Sequence, residues 1–202
     1  EKDGVDYYFR SRQYVESLRS ESKYIVLDVR GDLQALDMEE LKELLSQEDV
    51  FFEGNPFAGS ILLEQAQVHN IPNLNMFMAP ISKEEIIFLK NTNSNIELPD
   101  LVTDIMRRKL LRRTRKQKAE LSLKDLENIE KRASSAYQEL GMAFQFRHVI
   151  PNHDGEDSEN WDAFYYPLGD ALKSLQSFVS LYRNENADNV ETWEKDLLPN
   201  IT

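Results

Sequence analysis

The chain has 202 residues, 30% charged and 41% hydrophobic, with a formal net charge of −12. That balance is ordinary for a globular domain able to bury a core, and it opposes general binding to nucleic acid. Cysteine is absent, which excludes disulfides and thiolate metal sites, and no apolar run approaches the ~18 residues of a membrane span.

GVDYYF (Gly4 to Phe9) alternates loosely and is rich in strand formers, which predicts a first strand. Ser11 then reads as the N-cap of a short helix carrying Tyr14, Val15 and Leu18 on one face. YIVLDV (Tyr24 to Val29) is a second strand closed by Arg30 and Gly31. Asp37 and Glu40 form a capping box ahead of the apolar stripe Leu41, Leu44 and Leu45. VFFEGNPFAGS (Val50 to Ser60) comes next, and a short apolar run bounded by turn residues suits a strand buried on both faces. Glu53 would sit at that strand's carboxyl end, and Gly54 to Gly59 would carry the chain over the sheet edge, where open α/β sheets bind ligands. A helix from about Ser60 to Val68 follows.

NMFMA (Asn75 to Ala79) is the next predicted strand, stopped by Pro80. Ser82-Lys83-Glu84-Glu85 is another capping box, backed by Ile86, Ile87 and Leu89, and NTNSN (Asn91 to Asn95) is a polar turn. Pro99 suits a helix first turn, with Leu101, Val102, Ile105 and Leu110 facing inward. On this helix begins a basic run: Arg107, Arg108, Lys109, Arg112, Arg113, Arg115, Lys116 and Lys118, eight of the chain's 24 basic residues within twelve positions. A concentrated cationic segment on an acidic body suits a local polyanion such as a nucleotide phosphate chain. The alternative is a solvated helix face packed through Leu110 and Leu111.

Ser122 starts a further helix, Leu126, Ile129, Ala133, Ala136, Tyr137 and Leu140 keep its spacing, and Gly141 ends it. HVIPN (His148 to Asn152) is a late strand leading into the acidic stretch HDGEDSENWD, which lacks EF-hand spacing and reads as a surface loop. A last helix begins at Pro167, with Leu168, Ala171, Leu172, Leu175, Phe178, Val179 and Tyr182 on its apolar face. The tail from Asn184 is polar, frayed or docked by Trp193 alone. His69, His148 and His153 show no zinc-type spacing, so no structural metal is expected. Without Cys or G-x-S-x-G, covalent hydrolase chemistry has no candidate nucleophile. The alternation predicts an α/β fold, a mainly parallel sheet flanked by helices.

Several of these stretches resemble the guanylate kinase family of nucleoside monophosphate kinases. EKDGVDYYFRSRQYVESL is similar to that family's E-x-D-G-x-D-Y-x-F-x-S stretch. VFFEGNP falls on its apolar strand with an acidic end, and NMFMAPISKEEI on its strand, Ala-Pro turn and capped helix. The basic run falls on its lid, and HVIPN on its late strand ending in asparagine. The resemblance covers residues 1 to 183 and implies a single domain over residues 1–202 with an arginine-rich helical lid at about 100–140. It implies a P-loop-kinase-like fold and transfer of a phosphoryl group from ATP, with Mg2+, to a nucleoside monophosphate such as GMP or a related small phosphate. Residue by residue, it implies that Tyr7 contacts the acceptor's phosphate and that Arg30, in the Arg30-Gly31-Asp32 turn, belongs to the substrate-binding set. Glu53 would lie near the phosphates and reach magnesium through water, and Asn55 would replace the aspartate that reads the guanine amino group. Arg112 or Arg113, with Arg132, would clamp the transferring group, and Asn152 would approach the adenine of ATP. Phosphoryl transfer asks for such positioning and charge neutralisation.

The departures are specific. The sequence has no G-x-x-x-x-G-K-[ST]; Gly54 and Gly59 have the glycine spacing, but Ser60 and Ile61 follow. Ile25 stands at the guanine-reading glutamate position, and Leu33 and Gln34 stand at the paired tyrosines. The expectation is a P-loop segment ahead of residue 1 and an active cytoplasmic enzyme. The alternative is a non-catalytic module that binds a protein or a phosphorylated ligand. Loss of two acidic acceptors predicts weakened guanine selectivity. Neither nucleic acid nor a membrane is expected as a partner.

Overall fold

The computed structural model of the protein describes residues 2–4, 7–92 and 96–198. The backbone divides into two compact units, Glu1–Ala58 and Gly59–Thr202.

In the first unit, helix α1 (Arg12–Ser17) starts where the Ser11 hydroxyl accepts from Tyr14 N at 3.2 Å. Strand β1 (Tyr24–Val29) pairs antiparallel with β2 (Asp32–Asp37), Val29 opposite Asp32. The intervening Arg30 and Gly31 have φ of 56° and 87°. Two consecutive left-handed residues make the type I′ turn, whose twist matches that of the strands. Asp37 closes β2 and caps α2 (Met38–Leu45), accepting from Glu39 N at 3.0 Å and Glu40 N at 3.2 Å. Of the strand expected from Gly4 to Phe9, residues 5 and 6 lie outside the described residues. Tyr7 makes an isolated bridge with Asp3, and Tyr8 and Phe9 form no strand.

Val50 to Phe52 is not a strand. The run is coil, with Phe51 78% and Phe52 47% exposed. A strand buried on both faces needs hydrogen-bonded neighbours as well as apolar side chains, and neither sheet includes this run. The chain instead enters helix α3 (Pro56–Val68) directly, earlier than the spacing suggests. Pro56 fits the first helical position, and Asn55 Oδ1 accepts from Phe57 N at 2.9 Å as a cap. Gly54 to Gly59 therefore does not cross a sheet edge.

In the second unit, β3 (Met76–Ala79) and β4 (His148–Pro151) pair in parallel, Met76 opposite His148 and Ala79 opposite Pro151. The result is a mixed α/β chain with one parallel and one antiparallel strand pair among the described residues; the mainly parallel sheet is reduced to two strands. Around the parallel pair lie α4 (Lys83–Asn91), α5 (Leu98–Gln117), α6 (Leu123–Leu140) and α7 (Gly169–Tyr182). Of the turn expected from Asn91 to Asn95, residues 93–95 lie outside the described residues. Capping boxes start α4 and α6: Ser82 and Glu85 exchange bonds, as do Ser122 and Asp125. Ile86, Val102, Leu140, Val149 and Ile150 are fully buried. The α5 and α6 helices pack through Leu110, Ile129 and Ala133, and Arg107 reaches Glu130 with two bonds of 2.8 and 2.7 Å. No helix among the described residues is long and apolar enough to cross a membrane.

Two expectations change here. The tail is held by more than Trp193: Glu191 exchanges 2.8 Å backbone bonds with Val149, and Leu197 and Leu198 are buried beside Trp193 in the core. In α7 the buried positions are Ala171, Ser174 and Ser177, while Leu175 and Tyr182 are 40% and 65% exposed. Small side chains let this helix approach β4 closely, so its packed face is not its most apolar one.

Candidate functional site

Both parallel strands end at one edge, where Asn152 N donates to Ala79 O at 2.8 Å. Ligands of open α/β sheets gather beyond such carboxyl ends. Asn152 itself is buried, and its groups are turned inward. Its Oδ1 accepts from Gly155 N at 3.2 Å, and its carbonyl accepts from Lys109 Nζ at 2.7 Å. Burial lowers the Lys109 pKa to about 8, against the opposing pull of Asp154 and Asp170.

One residue further on, the His153 ring joins two helices. Nε2 lies 2.8 Å from Glu85 Oε2 on α4, and Nδ1 meets Asp170 on α7. Only an imidazolium donates from both nitrogens. Burial favours the neutral ring, but the bonds to Glu85 and Asp170 outweigh it and raise the pKa. Burial also opposes ionisation of Asp170, yet bonds from His153 and Lys173 hold its pKa at about 2. Asp154 accepts from Ser158 Oγ, Asn160 Nδ2 and Ala171 N, tying the acidic loop to the start of α7.

Along α5, Arg108, Arg112, Arg115 and Lys116 recur at helical spacing and so share a face. With Leu111 and Glu159 they line a groove of about 520 Å3. Of the described cations in and beside the groove, four are paired: Arg108 in its lining with Asp104, and beside it Arg107 with Glu130, Arg113 with Glu156 and Lys118 with Asp125. Arg112, Arg115 and Lys116 have no ion-pair partner among the described residues. Three uncompensated cations on one face repel one another, and a multivalent anion relieves that repulsion while matching the guanidinium fork. Leu110 is buried, as the solvated-face alternative also requires.

The sequence-derived candidates divide between the units. Arg112 is exposed in the groove, and Arg113 is held by Glu156. Arg132 lies on α6, where its carbonyl accepts from Ser135 Oγ at 3.1 Å, and Asn152 is buried at the strand edge. In the first unit, Tyr7 is 49% exposed and its carbonyl accepts from Gly4 N at 2.7 Å. Arg30 occupies the type I′ turn. Glu53 is exposed in coil, not at the carboxyl end of a strand. Asn55 uses Oδ1 on Phe57 N, and its Nδ2 is buried with no hydrogen-bond partner among the described residues. The available atom is a donor, suited to a carbonyl oxygen rather than to an amino group.

The described residues offer no multi-carboxylate cage for magnesium. Among the described residues, no three His, Asp or Glu side chains are grouped to hold a metal. A nucleotide-borne magnesium asks for only one or two carboxylates, but Glu53 lacks the strand edge that would aim it. For a phosphate chain the fit is better, because α5 supplies unpaired cations. His153, Glu85, Asp170, Lys109 and Glu156 are the structural additions to the site. Their partners lie far away in sequence, and a search for metal spacing passes over a histidine held by two carboxylates.

No protein-family model matches the chain, no curated protein matches it in sequence, and no solved structure matches its own.

Proposed function

We propose that the chain acts as a guanylate-kinase-like phosphotransferase, with a P-loop-kinase-like architecture, carrying a phosphoryl group from ATP to a nucleoside monophosphate or a related small phosphate. The observation that carries this reading is the one-sided groove of α5, where Arg112, Arg115 and Lys116 have no ion-pair partner among the described residues. Bound ATP with its magnesium would supply the transferable group. The chain's own residues position and neutralise it: Arg112 grips phosphate oxygens through its fork, Arg113 exchanges Glu156 for phosphate, and the Arg107–Glu130 pair keeps the two helices together. The parallel β3–β4 pair with Asn152 at its edge, and the separate antiparallel hairpin, are consistent with the same reading. A cytoplasmic setting, where ATP is at hand, belongs to it.

A second reading is a non-catalytic module that binds a phosphorylated ligand or a protein. The coil at Val50–Phe52 and the residues Ile25 and Asn55 at the guanine-reading positions favour it.

The experiment is ADP release from ATP with GMP, AMP or a non-nucleotide phosphate as acceptor, alongside calorimetric binding of each. The phosphotransferase reading expects turnover with at least one acceptor, lowered ~100-fold or more by Arg112→Ala. Binding without turnover selects the phosphate-binding module, and absence of both sinks the phosphotransferase and leaves only a protein-binding module.

A further inference from the structure

We propose that the acidic loop 153–162 is a built-in competitor for the α5 groove: Glu156 holds Arg113 beside the groove and Glu159 sets a negative charge in its wall, both of which a phosphate-bearing ligand must overcome. The inference rests on the reading of α5 as an anion site. The loop HDGEDSENWD carries five acidic residues, which the structure sorts by role. Asp154 faces inward and secures the start of α7. Glu156 pairs with Arg113, and Glu159 lines the groove together with Arg112 and Lys116. One carboxylate thus holds a cation that neighbours the groove, and another stands in the groove wall.

The loop is built to stay there. At its start, Asn152 accepts from Lys109 Nζ and from Gly155 N, and His153 is gripped by Glu85 and Asp170. Across it, Trp161 Nε1 donates to Gly155 O at 2.8 Å, and Leu168 N donates to Asn160 O at 2.7 Å. Glu156 and Glu159 are therefore held against α5 by a frame that does not depend on their own charges. The Arg113–Glu156 pair is itself displaceable. Its side chains are 33% and 54% exposed, and pairs this open contribute little. A polyphosphate with several charges and bidentate geometry outcompetes a single carboxylate, at a cost in affinity set by the two glutamates.

The test is calorimetric titration of the full chain with inorganic pyrophosphate at low and moderate salt. The Glu156→Gln/Glu159→Gln variant is compared with wild type, and Glu64→Gln/Asp188→Asn serves as a charge-matched control at exposed positions elsewhere in the same unit. Both loop glutamates are exposed, so thermal melting should be unchanged, and the single Glu156→Gln variant repeats the measurement should the double variant melt early. The expected result is pyrophosphate binding about fivefold to tenfold tighter in the loop variant, and within about twofold of wild type in the control. Wild-type binding that the loop variant leaves equal or weaker overturns the competitor, as does an equal gain in the control, which marks a long-range charge effect. If neither wild type nor variant binds pyrophosphate, the α5 groove is no anion site and the phosphotransferase reading falls as well. Binding by the wild type with an unchanged variant removes the competitor alone.

Discussion

The ammonium of Lys109 donates to the backbone carbonyl of Asn152 at 2.7 Å, fastening the middle of α5 to the residue that follows β4. Burial lowers its pKa from the ordinary 10.5 to about 8, with Asp154 and Asp170 opposing. Between those values the unfolded chain carries a proton that the folded chain has lost. Stability contributed at this position therefore rises with pH from about 8 towards 10.5. Lys109→Met keeps the aliphatic stem and removes the titration. Urea midpoints measured across that window should climb less steeply in the variant than in wild type. Parallel curves would show that the amine is solvated like a surface lysine.

The clasp at His153 has the opposite sign. A raised folded pKa means that its contribution is fully present below the ordinary value of 6.5 and is lost as pH rises through the folded value. The groups facing the ring are Glu85 from α4 and Asp170 from α7; Lys173 bonds to Asp170, whose charge also acts on Lys109. His153→Gln can donate to one carboxylate but cannot carry charge. At pH 5.5 it should be less stable by about 1 kcal/mol, the range for charged hydrogen bonds being discounted for a ring 46% exposed. The gap should close as pH rises through the folded pKa, which ring proton shifts would report independently. A gap of constant size at all pH values would mean that packing, not protonation, holds the loop.

What could be read from the sequence was local. Ser11, Asp37, Ser82 and Ser122 cap the helices as expected, because a cap is a bond between a side chain and a backbone amide two or three residues away. Strands depend on distant partners. Val50–Phe52 has strand composition and is coil, whereas Asp32–Asp37 has little strand character and pairs with β1, directed by the Arg30-Gly31 turn. In α7 the periodicity is legible but the neighbour is not: the spacing places Leu175 inward, and Ser174 holds that position instead. The same limit governs the site. The cationic run stands out in composition, but that Glu156 covers Arg113, and that His153 lies between Glu85 and Asp170, are facts of tertiary structure.

Gly59 offers a test in which two effects compete. It lies inside α3, where replacing glycine by alanine ordinarily gains about 1 kcal/mol of helix stability. Here an added Cβ would lie 3.1 Å from Phe146 Cζ and 3.3 Å from its Cε1. Phe146 is 8% exposed and meets Phe77 edge-on with ring centroids 5.5 Å apart, so the ring has little room to turn away. Overpacking of a core typically costs about 1–3 kcal/mol, which exceeds the helix gain. Gly59→Ala should therefore lower stability by about 1 kcal/mol, and the melting temperature by about 2–4 °C for a chain of this size. Shortening the ring in Gly59→Ala/Phe146→Leu should return part of the loss, since the two positions share one contact. A melting temperature that rises in the single variant would show that the ring yields and that the helix term decides the outcome.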